Sequence, residues 1–195
     1  MLQDGRDMFW SIAPLVAACI VLAGILGMCS FAPGGPGPGP TPSYDAPAAL
    51  QADADALRIP IRLPVLPEGW HANSGGRAGI DGGRTDPSGQ RARAVSSTVG
   101  YLAPSGMYLA LTQSNADEEK LIGSIDSDLV PSGTQDVDGV RWVVYEGDDG
   151  AEPVWTTRLN GPKGAGQIAI KGAAGTNEYR TLAAAVQKQP PLPPQ

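Results

Sequence analysis

Apolar residues run almost unbroken from Met8 to Phe31, whereas from Ala94 onward they alternate with polar ones. The first pattern has the length of a membrane crossing, because roughly 20 apolar residues at 1.5 Å rise cover about 30 Å of hydrocarbon. The second has the period of strands. Val95, Val99 and Tyr101 share one face, and after Ala103-Pro104-Ser105-Gly106 a second run puts Met107, Leu109 and Leu111 together, which predicts a hairpin. Ser114 with Asp117 three residues later reads as a capping box, followed by a helix burying Leu121, Ile122 and Ile125. Asp138-Gly139 is a two-residue turn signal between Thr134–Val137 and Val140–Glu146, with Val140, Trp142 and Val144 on one face. Val154–Leu159 and Gln167–Lys171 form a last hairpin across 160–166. Thr176 then caps a helix carrying Tyr179, Leu182, Ala183 and Val186.

Ahead of these lies a helix over Asp45–Leu57, with Ala49, Leu50, Ala54 and Leu57 near helical spacing. From Arg58 to Trp70 a proline recurs every three or four residues, which excludes helix and central strand. That stretch reads as an extended edge segment ending in a turn at Pro67-Glu68-Gly69, with Trp70 plugging the core. The Gly-, Ser- and Arg-rich stretch to Arg93 reads as a long loop with room for a short strand. Hairpins on short turns, with too few helices for crossovers, predict an α+β domain: an antiparallel sheet packed by helices. Strand–strand–helix occurs twice, a pattern suggestive of weak internal duplication.

The uncharged opening segment sets the expected topology: residues 1–7 cytoplasmic, 8–31 a transmembrane helix, 32–44 a Pro/Gly-rich spacer, 45–188 an extracytoplasmic domain, and 189–195 a proline-rich tail. A cleaved signal would have a shorter apolar region, and cleavage after Ala32 would leave Pro33 at the cut. Cys19 follows Val16-Ala17-Ala18 like a lipoprotein acceptor, but apolar residues continue to Met28 where such chains turn polar. Arg6 precedes the span and no basic residue follows it until Arg58, so the amino terminus is expected inside and the domain outside, in the plasma membrane. The lipid bilayer is then the partner of the N-terminal helix, and an envelope protein or ligand that of the domain. Alternating Pro and Gly make the spacer a solvated arm, and the tail is expected to lie loose or along the surface.

Composition narrows the chemistry. Both cysteines lie in the apolar segment, so the domain holds by packing without disulfides. After Phe31 there are 13 basic and 18 acidic residues, a balance that disfavours nucleic acid and anionic lipid surfaces. His71, the only histidine, reads as an exposed loop residue, and one His with no domain cysteine leaves no basis for zinc. No catalytic residue, cofactor or metal ligand is assigned. Asp126, Asp128, Asp136, Asp138, Asp148 and Asp149 fall in three turns that a sheet could gather at one end, though none has the spacing of a calcium loop. Arg77, Arg84, Arg91 and Arg93, interleaved with Gly75-Gly76 and Gly82-Gly83, form the one basic concentration in an acidic domain and a candidate anion or ligand loop. Trp142 and Trp155 read as core aromatics.

Met1-Leu2-Gln3-Asp4-Gly5-Arg6-Asp7-Met8, Leu66-Pro67-Glu68-Gly69-Trp70, Gly100-Tyr101-Leu102, Leu111-Thr112-Gln113-Ser114, Gly133-Thr134-Gln135 and Glu152-Pro153-Val154-Trp155-Thr156 resemble the actinobacterial domain-of-unknown-function family 4245 over nearly the whole chain. The resemblance implies a single-pass membrane protein with one exported domain and carries no catalytic residues. The Pro-Glu-Gly-Trp turn before a hairpin-rich region also resembles the PsbP-like (Mog1-like) sandwich. The expected function is a membrane-anchored binding or interaction module of the cell envelope. The alternatives are a structural subunit of a membrane complex and an envelope hydrolase using carboxylates.

Overall fold

The computed structural model describes residues 5–25, 42–80, 94–148, 150–161, 164–193 and 195. It divides into two compact units, Met1–Thr41 and Pro42–Gln195. The first unit contains helix α1 (Gly5–Ile25, 21 residues), with Pro14 inside it. Among the described residues no helix is long and apolar enough to cross a membrane. The end of the expected span, 26–31, and the spacer to residue 41 lie outside the described residues.

The second unit begins with α2 (Ala46–Leu57), whose N-cap Asp45 accepts a hydrogen bond from the Ala48 amide at 3.1 Å. Pro47 fits in the first turn, where its missing N–H costs nothing, and Arg58 at φ 54° ends the helix before the proline run. There follow β1 (His71–Ile80), β2 (Ala94–Leu102), β3 (Tyr108–Ser114), α3 (Glu118–Ile125), β4 (Val130–Val137), β5 (Val140–Glu146), β6 (Val154–Gly161), β7 (Gly164–Gly172) and α4 (Thr176–Gln187). The strands make one seven-stranded sheet in the order β1-β2-β3-β7-β6-β5-β4, antiparallel throughout. Only α3 has to cross, carrying the chain from a central strand to the far edge. The α+β class read from the pattern is the class observed.

Side-chain alternation sorts the two faces. Leu111, Ile168, Ile170, Trp142 and Trp155 point to an inner face covered by α2 and α4, where the large core lies. Ala169 and Val154 point the other way, under Leu121 and Ile122 of α3. Strand–strand–helix does recur, as β2-β3-α3 and β6-β7-α4, but the two helices lie on opposite faces. A two-fold relating the adjacent antiparallel strands β3 and β7 would keep them on one face, so the layers do not support a duplication.

Several boundaries differ from expectation for local reasons. His71–Ile80, the first part of the stretch read as a loop, is a ten-residue edge strand, and the remainder, 81–93, lies outside the described residues. Glycines give the strand no hydrophobic period, and it is held by its ladder to β2 and by Tyr44, whose ring fills the space above Gly75. Ser114 ends β3 instead of capping α3. Its hydroxyl donates to Val95 O at 2.7 Å, and the N-cap is Asp117. Gly175, not Thr176, caps α4, with its amide donating to Glu178 Oε2 at 3.1 Å. The proline segment is extended but crosses the inner face, where Ile59, Ile61 and Arg62 are buried, instead of lying along an edge. Trp70 packs against the core while remaining partly exposed.

The tail is tied down rather than loose. Leu192 N donates to Ile61 O at 2.7 Å, Gln51 Nε2 donates to Pro193 O at 2.8 Å, and Arg62 donates to Gln189 O and, at 2.6 Å, to Asn160 O. Burial lowers the pKa of the Arg62 guanidinium. The β4 edge is blocked against further pairing. Pro131 and a register shift interrupt its start, while Arg180 and Gln187 of α4 take the carbonyls of Asp136 and Val137 at its end.

Candidate functional site

Of the four candidate arginines, Arg77 lies among the described residues. Arg77 lies on β1 opposite Ser97 of β2, both on the inner face under α2. Its Nε donates to Asp53 Oδ1, and the Ser97 hydroxyl donates to the other oxygen of the same carboxylate. The Asp53 side chain is 8% exposed, so these partners offset the cost of burying it. Arg77 therefore acts by locking α2 onto the β1–β2 edge. Arg84, Arg91 and Arg93 lie outside the described residues.

The aspartates are not gathered at one end. Asp126 and Asp128 precede β4, whereas Asp136 is its penultimate residue and Asp138 follows it, a separation of roughly 25 Å along an eight-residue strand. Lys171 approaches Asp126 at 3.7 Å and Lys188 approaches Asp138 at 2.8 Å, while Asp136 accepts the Gly139 amide of the hairpin at 3.1 Å. Asp149 lies outside the described residues. No group of three His, Cys, Asp or Glu side chains suited to a metal occurs among the described residues. His71 is exposed, at the start of β1.

Both tryptophans read as core are buried. Trp142 donates its indole N–H to Gln187 at 3.0 Å, and the Trp155 ring sits 5.0 Å from that of Tyr179. The Tyr101 hydroxyl is buried without a hydrogen-bond partner among the described residues. Burial, then the neighbouring Tyr44, raises its pKa above the ordinary 10.0.

A recess that sequence reasoning did not find opens on the outer face. Its volume is about 390 Å³, and its lining includes the small residues Ala94, Ala116, Gly164 and Ala165. Lys120 of α3 and Arg158 of β6 stand over it. Among the described residues neither side chain has an ion pair or hydrogen bond. Asn115 also lines it, using Oδ1 to accept the Val95 amide at 2.9 Å, which leaves its NH₂ group as a donor. Asp117 supplies one acidic group on the rim. Lys120 and Arg158 lie far apart in the chain and on different kinds of element, so no local pattern links them. Only the crossover of α3 and the pairing of β6 with β7 bring them together.

The fold thus defines an antiparallel α+β sandwich with helices on both faces of one sheet and a basic recess on the face that carries a single helix. The chain belongs to the family described as Protein of unknown function (DUF4245), whose model matches residues 1–186. No curated protein and no solved structure matches it.

Proposed function

We propose that this protein is a membrane-anchored binding module, held in the plasma membrane by α1 with its sandwich domain on the extracytoplasmic side. The observation that carries the tether is the surface of α1. Phe9, Trp10, Ile12, Leu15, Val16, Ile20, Val21 and Leu22 are each at least 50% exposed and are spread around the helix. Burying such a side chain is worth about 1.5–3 kcal/mol, so eight of them in water would be a large unfavourable surface that a bilayer removes. The binding role is supported by the recess, where two unneutralised cations line one concavity. We assign the domain to the PsbP-like (Mog1-like) sandwich on its Pro67-Glu68-Gly69-Trp70 turn and its element order.

Cell fractionation tests the tether. The full chain is expected in the membrane fraction after an alkaline wash. External protease on cells with permeabilised outer layers should remove the domain but spare an epitope before Met8. Recovery in the soluble fraction, or a domain protected until the membrane is lysed, would contradict the proposal.

A further inference from the structure

We propose that the outer-face recess is a binding site for a small phosphate- or carboxylate-bearing molecule, held between Lys120 and Arg158. The inference rests on the binding-module reading and names the ligand class of that module.

Three observations converge. In a chain of net charge −6, cations are scarce, and among the described residues of the domain five of nine are committed elsewhere. Arg77 goes to Asp53, Lys171 to Asp126, Lys188 to Asp138, and Arg62 and Arg180 to backbone carbonyls. Among the described residues the side chains of Arg58, Lys120, Arg141 and Arg158 have no ion pair or hydrogen bond, and of these Lys120 and Arg158 line the same recess. Two like charges beside one concavity repel unless an anion lies between them, so an anion relieves an existing cost.

The size is the second observation. A recess of about 390 Å³ falls within the range of about 300–1,000 Å³ found for small-molecule clefts, and it exceeds what a bare phosphate needs. Four of the eight lining residues are alanine or glycine, so little side-chain volume fills it. Third, donors outnumber acceptors around it. Besides the two cations, the Asn115 amide has its NH₂ group to offer. Glu118, in the first turn of α3, accepts from the Tyr145 hydroxyl at 2.9 Å. With Asp117 the lining carries a net charge of +1, which suits an anionic head attached to a neutral body.

Arg158 supplies a planar fork that can hold two oxygens of a phosphate or carboxylate, and Lys120 a point charge. The full chain in detergent micelles would be titrated by calorimetry with inorganic phosphate, with succinate, and with glucose as an uncharged control. Phosphate or succinate is expected to bind with a dissociation constant of about 1 mM or tighter, weakening as salt rises, and the stronger of the two identifies the headgroup. Arg158→Ala and Lys120→Ala should each weaken it about tenfold or more, with thermal midpoints unchanged, while Lys188→Ala leaves it as it was.

Silence with both anions would overturn the proposal, and so would binding that survives the Lys120→Ala, Arg158→Ala double variant. Arg158→Lys separates fork from charge: retained phosphate binding with lost succinate binding is consistent with the site, and glucose binding as well as either anion is not. A chain that fractionates with membranes yet ignores both anions sinks this inference alone. A soluble chain that binds them sinks only the tether.

Discussion

Replacing Gln113 with alanine should release the proline segment from the sheet. Gln113 sits on β3 in the middle of the inner face, 2% exposed, and its amide grips the backbone of Arg62 twice. Arg62 N donates to Oε1 at 2.8 Å, and Nε2 donates to Arg62 O at 2.8 Å. Arg62 itself is 6% exposed, so water does not readily replace the lost partner. A buried backbone group left without a partner costs about 1–3 kcal/mol, and two such groups with partial relaxation give about 3 kcal/mol. For a chain of this size that is a fall of roughly 6–12 °C in the thermal midpoint.

Urea unfolding followed by tryptophan fluorescence measures the global term, since Trp142 and Trp155 are buried reporters. Hydrogen exchange at the Arg62 amide measures the local one. Gln113→Glu sharpens the test, because a carboxylate still accepts from Arg62 N but cannot donate to Arg62 O. It should therefore be no more stable than the alanine variant near neutral pH. A Gln113→Ala protein within about 0.5 kcal/mol of the parent, with Arg62 exchange unchanged, would refute the reasoning. The segment would then be held by Ile59 and Ile61 packing alone.

Two further outcomes follow from the geometry. Burial, then the hydrogen bond to Glu118, pushes the Tyr145 hydroxyl from 10.0 up to about 12. The unfolded chain therefore loses that proton first: the stabilisation is complete below pH 10 and lost as pH rises toward about 12. Tyr145→Phe should reduce the slope of stability against pH in that window by about one proton. It should not flatten it, because Tyr101 and Tyr179 are raised as well. Asp53→Ala leaves Ser97 and Arg77 without their shared acceptor and should cost about 2–4 kcal/mol in urea unfolding. A double-mutant cycle with Arg77→Ala should show positive coupling, and additivity would mean that Arg77 is not what holds the carboxylate.

How far the chain could be read follows from how local each signal is. The Asp138-Gly139 hairpin was legible because both residues must adopt left-handed backbone, and they do, at φ 50° and 83°. Trp142, Leu182 and Val186 were legible because alternation or helical spacing marks a buried face. β1 was not, since three of its ten residues are glycine and its strand character resides in backbone pairing with β2. The arginines show the same limit from the other side. Their clustering in the sequence was real, but Arg77 is turned to a carboxylate on α2, 24 residues earlier, by a strand that composition did not announce. Lys120 and Arg158 left no trace at all, because the recess between them is a product of sheet order.

That sheet order also separates stability from binding. The inner face carries the large residues of the core, with α2, α4, the proline segment and the pinned tail all fastened to it. The outer cluster is smaller, and three of its eight buried members are alanines, two of which also line the recess. Alanine contributes little apolar area, so α3 is the less firmly held helix, and local opening concentrates where buried apolar contacts are few. An anion bridging Lys120 of α3 to Arg158 of β6 would add a link across exactly that weaker layer. The inner core can then stay fixed while the outer helix responds to what the recess holds.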